Sequence, residues 1–95
     1  MAYRLSKKAA QDVIDIYAYG AREFGIAQAE KYQESLSRIF NFLSEHPLAV
    51  RERTEFSPPV RIHAVGAHVV IYVTEGADIL IVRVLGGRQD WTEYV

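Results

Sequence analysis

Residues 60–85, VRIHAVGAHVVIYVTEGADILIVRVL, contain three segments rich in Val, Ile and Tyr. These segments, residues 60–65, 68–74 and 79–85, have the composition of β-strands and are separated by glycine-containing breaks. Gly66-Ala67 fits a two-residue hairpin loop with glycine in its first position, and residues 75–78 fit a four-residue turn. The stretch therefore predicts an antiparallel meander of three strands.

The two turns also predict the register of this meander, and the register sorts the side chains into two faces. The predicted cross-strand pairs are Val65–His68, His63–Val70, Arg61–Tyr72, Tyr72–Ile81, Val70–Arg83 and His68–Leu85. Directly paired residues share a face, and successive residues alternate between faces. One face is then wholly apolar, with Val60, Ile62, Ala64, Val69, Ile71, Val73, Leu80, Val82 and Val84. We predict that helices cover this face.

The other face is mixed and carries no acidic residue. Its members are Arg61, His63, Val65, His68, Val70, Tyr72, Ile81, Arg83 and Leu85. Arginine and tyrosine are enriched in interface centres, and arginine suits phosphate recognition. We predict an open sheet face that displays His63, His68 and Tyr72 beside the arginines. The alternative is that Arg61 and Arg83 lie over apolar neighbours and pair with loop acids such as Glu52 or Asp90.

Two amphipathic helices are predicted before the meander. Ser6 is a plausible N-cap, and Gly25 separates the helices. The second helix begins near Ile26 and stops at Glu45 or His46, since proline disfavours helical conformation in the residue before it. The apolar stripes are Ala10, Val13, Ile14, Tyr17, Ala21 and Phe24 in the first helix, and Ala29, Tyr32, Leu36, Ile39, Phe40 and Leu43 in the second.

The predicted order is a short N-terminal strand at residues 2–5, an antiparallel helical hairpin, a loop at residues 47–59, and the meander. This β-α-α-β-β-β order predicts an α+β domain in which the hairpin packs on one face of an antiparallel β-sheet. A chain of 95 residues is expected to form a single domain, residues 1–95.

Composition bounds the functions to consider. The chain has no cysteine and a formal net charge of −1, and we find no signal peptide and no apolar run long enough to span a bilayer. We expect a cytoplasmic location and no membrane partner. The charge disfavours binding to nucleic acid by phosphate neutralisation alone, so direct sequence-specific DNA binding is not expected.

Four stretches together resemble ParE-type toxins of the RelE/ParE superfamily, known from plasmid-stabilisation toxin–antitoxin systems. They are Tyr3-Arg-Leu-Ser6, Phe24-Gly25-Ile26 with Gln28-Ala29, Gly66-Ala-His-Val-Val-Ile-Tyr72, and Ile81-Val-Arg-Val-Leu-Gly-Gly-Arg-Gln-Asp-Trp91. The resemblance covers nearly the whole chain. One departure is Gly86, where many ParE-like chains have a histidine.

The resemblance implies the toxin of a type II pair, neutralised by a cognate ParD-like antitoxin and directed at DNA gyrase by binding. We predict a target-binding surface formed by Arg61, Arg83, Arg88, Trp91 and Tyr94. A decayed toxin that retains only antitoxin binding is an alternative.

The second alternative is a ribosome-dependent endonuclease of the RelE type, which cuts messenger RNA. Its catalytic residues would be Arg61, His68, Arg88 and Tyr94, since Arg88 and Tyr94 have the six-residue spacing of the nuclease branch. However, His68 stands where that branch has an arginine, and Pro59 where it has a lysine. We expect no cofactor and no metal, because His63 and His68 lack an evident third ligand.

Overall fold

The computed structural model describes residues 2–88, 90 and 93. The elements are β1 (Tyr3–Leu5), α1 (Lys7–Phe24), α2 (Ile26–Glu45), β2 (Glu52–Arg53), β3 (Val60–Val65), β4 (His68–Glu75) and β5 (Asp78–Gly86). The strands form one sheet in the order β1-β5-β4-β3-β2. The α+β layout is confirmed, with one addition: β1 runs parallel to β5, so the sheet is mixed. No helix in the described part of the chain is long and apolar enough to cross a membrane.

The helix ends follow the predicted signals. The Ser6 hydroxyl oxygen accepts a hydrogen bond from the Ala9 amide at 3.0 Å and caps α1. Gly25 alone connects the helices: its φ of 92° suits glycine, and its amide bonds to the Ala21 carbonyl. Helix α2 ends at Glu45, before Pro47, as predicted.

The bounds of β3 and the first hairpin also agree with the prediction, whereas the predicted four-residue turn at residues 75–78 is wrong, because β4 and β5 extend into it and Glu75 pairs with Asp78. Val65 pairs with His68, and Gly66 has a φ of 54° while Ala67 does not have a positive φ, as expected for a glycine-first turn. The predicted loop at residues 47–59 contains a short strand that the sequence analysis missed. This strand, β2, pairs Glu52 with Arg61 at the edge of the sheet.

The predicted register between β4 and β5 is correct only in its first half. Tyr72 pairs with Ile81 as expected, but a bulge follows, and Ile71 pairs with Arg83. The extra residue in β5 is Val82. The predicted pairs Val70–Arg83 and His68–Leu85 are therefore wrong: Val70 pairs with Val84, and His68 pairs with Gly86.

The assignment of the two faces is also wrong. Helices α1 and α2 pack on the face that was predicted to be open, and the side chains there that form the main core are Val65, Val70, Tyr72 and Ile81. They meet Ala9 of α1 and Leu36, Phe40 and Leu43 of α2. A second cluster on the opposite side is built from Val60, Val69 and Ile71 of the wholly apolar set, with Phe56 of the loop packed against it. Leu85 also belongs to this cluster and Val84 belongs to the main core, because the bulge exchanges the predicted faces of these two residues.

Candidate functional site

Tyr72, predicted to be on an open face, lies in the core with 0% of its surface exposed. Its hydroxyl donates a hydrogen bond to the Pro47 carbonyl oxygen at 3.0 Å. Burial raises the pKa of Tyr72, and the Arg61 charge opposes this shift. The hydroxyl is therefore protonated at neutral pH and acts as a structural donor, not as part of an exposed patch.

Arg61 lies beside Tyr72 on the neighbouring strand and faces the same loop. Its Nη1 donates a hydrogen bond to the Val50 carbonyl oxygen, and its buried Nε has no hydrogen-bond partner among the residues that the structure describes. The side chain thus packs under the loop that follows α2. Together, Arg61 and Tyr72 anchor two carbonyl groups of this loop, at Pro47 and Val50.

His68 lies at the other end of the hairpin, under helix α2. Its Nδ1 is 2.6 Å from the Tyr32 hydroxyl oxygen, which is also 3.2 Å from the Val65 carbonyl oxygen. The hydroxyl has one hydrogen, so when it donates to Val65, the Nδ1–H of His68 must donate to Tyr32. Burial lowers the pKa of His68 and raises that of Tyr32. His68 is therefore a half-buried contact of α2, and its predicted place on an open face is wrong.

His63 lies between these two ends of β3. Strand alternation places it on the helix-covered face with Arg61 and Val65, where it is half-buried and opposite Val70. The expectation that His63 lies on an open face is therefore also wrong. Among the residues that the structure describes, no three His, Asp or Glu side chains are grouped so as to hold a metal ion.

The predicted nuclease residues do not all lie together. Arg61 pairs with Tyr72, four residues along β4 from His68. Four residues of strand span about 13 Å, so the backbone positions of Arg61 and His68 lie at opposite ends of the hairpin. Tyr94, the fourth residue of that set, lies outside the described residues.

Arg83 forms an ion pair with Asp12 of α1, a residue that the sequence analysis did not select. Arg83 Nε and Nη2 donate to Asp12 Oδ2 and Oδ1 at 2.8 and 2.9 Å. Asp12 Oδ2 also accepts the Val84 amide hydrogen at 3.0 Å. The Asp12 and Arg83 side chains are only 13% and 17% exposed. This acceptor lies on a helix and was not among the loop acids considered from the sequence.

The position of Asp12 in the helix pattern could have identified it as a buried carboxylate that needs a partner. The stripe of α1 that packs against the core is Ala9, Val13 and Ile16, rotated by about one residue from the predicted stripe. Asp12 lies next to this stripe, three residues after Ala9 and four before Ile16. A carboxylate in that position needs a partner when buried, and Arg83 supplies it.

The C-terminal tail, which we define as the residues after Gly86, leaves the sheet next to the β3–β4 turn. Gly86 pairs with His68, and the Gly87 amide donates to the Ala67 carbonyl oxygen at 2.8 Å. Arg88 follows directly and is exposed. The tail therefore starts from a defined position. The predicted target-binding residues Trp91 and Tyr94 lie outside the described residues.

A groove of about 680 Å³ opens beside the start of the tail. Its lining combines α1, α2 and the β3–β4 turn, and the apolar and aromatic members include Ile16, Tyr17, Tyr19, Phe24 and Tyr32, with His68 also in the lining. Phe24 is 68% exposed and Tyr19 is 54% exposed. Exposed aromatic side chains around a concave apolar surface are typical of a protein-binding site.

Comparisons with known proteins agree with this architecture. The family model described as "ParE toxin of type II toxin-antitoxin system, parDE" matches residues 3–91. Toxin ParE1 of Caulobacter vibrioides is 35% identical over 83 residues, which are 87% of this chain and 85% of the relative. Toxin ParE3 of the same organism is 30% identical over 66 residues, 70% of this chain and 66% of the relative.

A solved structure described as a chromosomal ParDE TA system from P. aeruginosa has the same fold. It aligns with a TM-score of 0.77 at 22% identity, covering 90% of this chain and 95% of that one. Fold and sequence thus agree on a small toxin of a type II toxin–antitoxin system. The chain belongs to the ParE toxin family, as its sequence motifs indicated.

Proposed function

We propose that this ParE toxin acts on DNA gyrase by binding, and that a cognate ParD-like antitoxin neutralises it. The observation that supports this mode of action is the location of the three candidate arginines. Arg61 bonds to a loop carbonyl and Arg83 to Asp12, both inside the protein, whereas Arg88 is exposed at the start of the tail. A surface that binds through the tail fits this arrangement better than a catalytic centre on the sheet.

The proposed target-binding surface is therefore narrower than the sequence analysis suggested. It begins at Arg88 and continues with Trp91 and Tyr94, whereas Arg61 and Arg83 support the scaffold. An exposed arginine offers a planar, permanently charged group for carboxylates or phosphates, and aromatic residues supply anchoring area at interfaces.

The proposed antitoxin surface is the groove between the helices and the β3–β4 turn. Its apolar lining and the exposed Phe24 and Tyr19 favour an amphipathic segment of the antitoxin that inserts apolar side chains. Because the groove adjoins the start of the tail, an antitoxin seated there would also obstruct Arg88.

Purified toxin and gyrase test the proposal directly. We expect the wild-type protein to inhibit supercoiling or to accumulate cleaved DNA, Arg88→Ala to lose most of this effect, and added antitoxin to abolish it. Arg51→Ala is the matched control, because Arg51 is also exposed but lies on the loop after α2. No effect on gyrase with toxin in excess contradicts the proposed target.

One observation keeps the nuclease alternative open to test. His68 pairs with Gly86, two residues before Arg88, so two of the four candidate catalytic residues belong to one end of the sheet. Expression of the toxin alone, with primer extension on translated messages, separates the possibilities. Codon-linked cuts that disappear in Arg88→Ala or Tyr94→Phe indicate the nuclease, and an absence of any growth defect indicates a decayed toxin.

A further inference from the structure

The Asp12–Arg83 ion pair coincides with the irregular point of the last strand. The bulge lies between the Tyr72–Ile81 and Ile71–Arg83 pairs, so Arg83 is the first residue after the extra residue Val82. The donors to Asp12 are the side chain of Arg83 and the backbone amide of Val84. One carboxylate on α1 therefore holds both residues that follow the bulge.

The hydrogen bond from the Val84 amide to Asp12 lies on the edge of β5 that β1 leaves unpaired. β1 pairs with β5 only as far as Ile81, and Ser6 continues the contact by donating its hydroxyl hydrogen to the Val82 carbonyl at 2.7 Å. Beyond that point β5 has no strand neighbour on this side within the described chain. The Val84 amide instead donates to Asp12, so α1 satisfies the edge of β5 where β1 ends.

The register after the bulge determines where the tail begins. Val84 faces the helix side opposite Val70, and Gly86 lies opposite His68. The Gly87 amide can then reach the Ala67 carbonyl, and Arg88 leaves the sheet at the β3–β4 turn. A shift of one residue in this short segment would move Arg88 by about 3.4 Å and invert the faces of the preceding side chains.

We propose that Asp12 is a positioning residue for toxicity: through Arg83 and Val84 it fixes the bulge, and with it the register of the strand segment that leads into the target-binding tail. This inference rests on the proposed function, because it takes the tail from Arg88 onward as the part that contacts the target. Arg83 accordingly acts through Asp12 and does not contact the target itself.

Gyrase inhibition by the Asp12→Ala variant distinguishes a supporting role of Arg83 from direct contact between Arg83 and the target. If Arg83 acts by binding Asp12, then Asp12→Ala and Arg83→Ala each lower gyrase inhibition by about tenfold or more. The double variant then inhibits gyrase no more weakly than the weaker single variant. If Arg83 is a target contact, Asp12→Ala removes only its bond to Asp12 and preserves inhibition, while Arg83→Ala abolishes it. That second pattern overturns the proposal.

Structural readouts separate positioning from a general loss of stability. Hydrogen exchange of the Val84 amide should become about tenfold faster in Asp12→Ala, in line with the loss of one hydrogen bond, while antitoxin affinity stays near wild type. Unchanged Val84 exchange, or an equal loss of antitoxin affinity and inhibition, counts against positioning. Asp12→Asn preserves side-chain volume and serves if the alanine variant does not fold. Glu34→Gln, an exposed acid of α2, is the matched control and should inhibit like wild type.

Arg88→Ala distinguishes the failure of this inference from failure of the proposed function. If Arg88→Ala inhibits gyrase as strongly as wild type, the tail is not the contact surface and the proposed function fails at that point. If Arg88→Ala is inactive while Asp12→Ala retains full inhibition, the tail assignment stands and the positioning role of Asp12 is rejected.

Discussion

The Tyr72 hydroxyl, fully buried on β4, donates a hydrogen bond to the carbonyl oxygen of Pro47 at 3.0 Å. This contact joins the centre of the sheet to the loop that follows α2. With Arg61, which binds the Val50 carbonyl, it fixes the loop backbone at two points three residues apart. The loop thus has two side-chain anchors near its start, although it contains little regular structure of its own.

Tyr72→Phe should therefore destabilise the protein by about 1 kcal/mol, because the Pro47 carbonyl loses its donor in a part-buried setting. Urea unfolding measures the change as a lower midpoint with an unaltered slope. Tyr19→Phe removes a hydroxyl from a tyrosine that is more than half exposed, and its midpoint should match wild type. Equal midpoints for all three proteins would show that the Tyr72 bond contributes nothing.

Gly66→Ala should be more costly than Gly76→Ala. Both glycines have a positive φ, of 54° and 61°, so each alanine variant bears backbone strain of about 1–2 kcal/mol. At Gly66 the added Cβ would also lie 2.9 Å from the Tyr32 ring, whereas at Gly76 no atom of the described part of the chain lies within 4 Å. Overpacking of this kind adds about 1–3 kcal/mol. Thermal unfolding of both variants tests the difference, and equal losses contradict the Tyr32 contact.

Stability should depend on His68 at mildly acidic pH. Burial lowers the pKa of His68 below its ordinary value of 6.5, so the unfolded chain binds this proton more readily than the folded protein. The stability associated with neutral His68 is present above pH 6.5 and is lost as the pH falls through the lowered folded-state pKa.

Unfolding free energies measured between pH 8 and pH 5 test this dependence. Relative to wild type, His68→Gln should show a shallower fall in stability below about pH 6.5. A His68→Gln variant with the wild-type slope rules out the predicted contribution.

Phe24→Ala should weaken antitoxin binding without lowering stability. The side chain lines the groove and is mostly exposed, so its removal should change the unfolding free energy by no more than about 0.5 kcal/mol. As an aromatic anchor, it should account for about tenfold or more of the affinity, measured by calorimetry with the cognate antitoxin. Leu48→Ala is the control, since Leu48 is equally exposed but lies outside the groove. Similar losses in both variants contradict the groove as the antitoxin surface.

Local sequence signals were sufficient for the elements of the fold. Ser6, Gly25 and Pro47 each act through a short-range physical effect, a cap, a positive φ or a steric conflict, and the helix bounds follow from them. The Gly66 turn likewise determines the pairing of β3 with β4. The strand at Glu52–Arg53 was missed because two residues are too short for any periodicity to be detected.

The faces of the sheet could not be assigned in the same way. Up to the bulge, alternation separates the two sets of side chains correctly, but it does not say which set the helices cover. The more apolar set was chosen for the helices, yet both sets are buried in part: Tyr72 and Arg61 donate to loop carbonyls, and His68 meets Tyr32. Long-range partners thus make polar side chains compatible with the covered face, and those partners are invisible to a local pattern.

The bulge at Val82 produced the remaining error. A regular ladder continued from Tyr72–Ile81 would have put Arg83 opposite the fully buried Val70. One extra residue brings Val84 there instead and leaves Arg83 to reach Asp12 on α1. The sequence contains both members of this pair, but 71 residues separate them. Their contact depends on the packing of α1 against β5.

The parallel pairing of β1 with β5 has a consequence for the order in which the protein can form. Tyr3, Arg4 and Leu5 pair with Ile79, Leu80 and Ile81. Strand β1 is synthesised before the other described strands, but it cannot pair until β5 has been synthesised. The two hairpins that join β3, β4 and β5 are local in sequence and close early by comparison, whereas β1 can add only after nearly the whole chain is synthesised. During translation, the helical hairpin is thus complete while the sheet on which it packs is still unfinished.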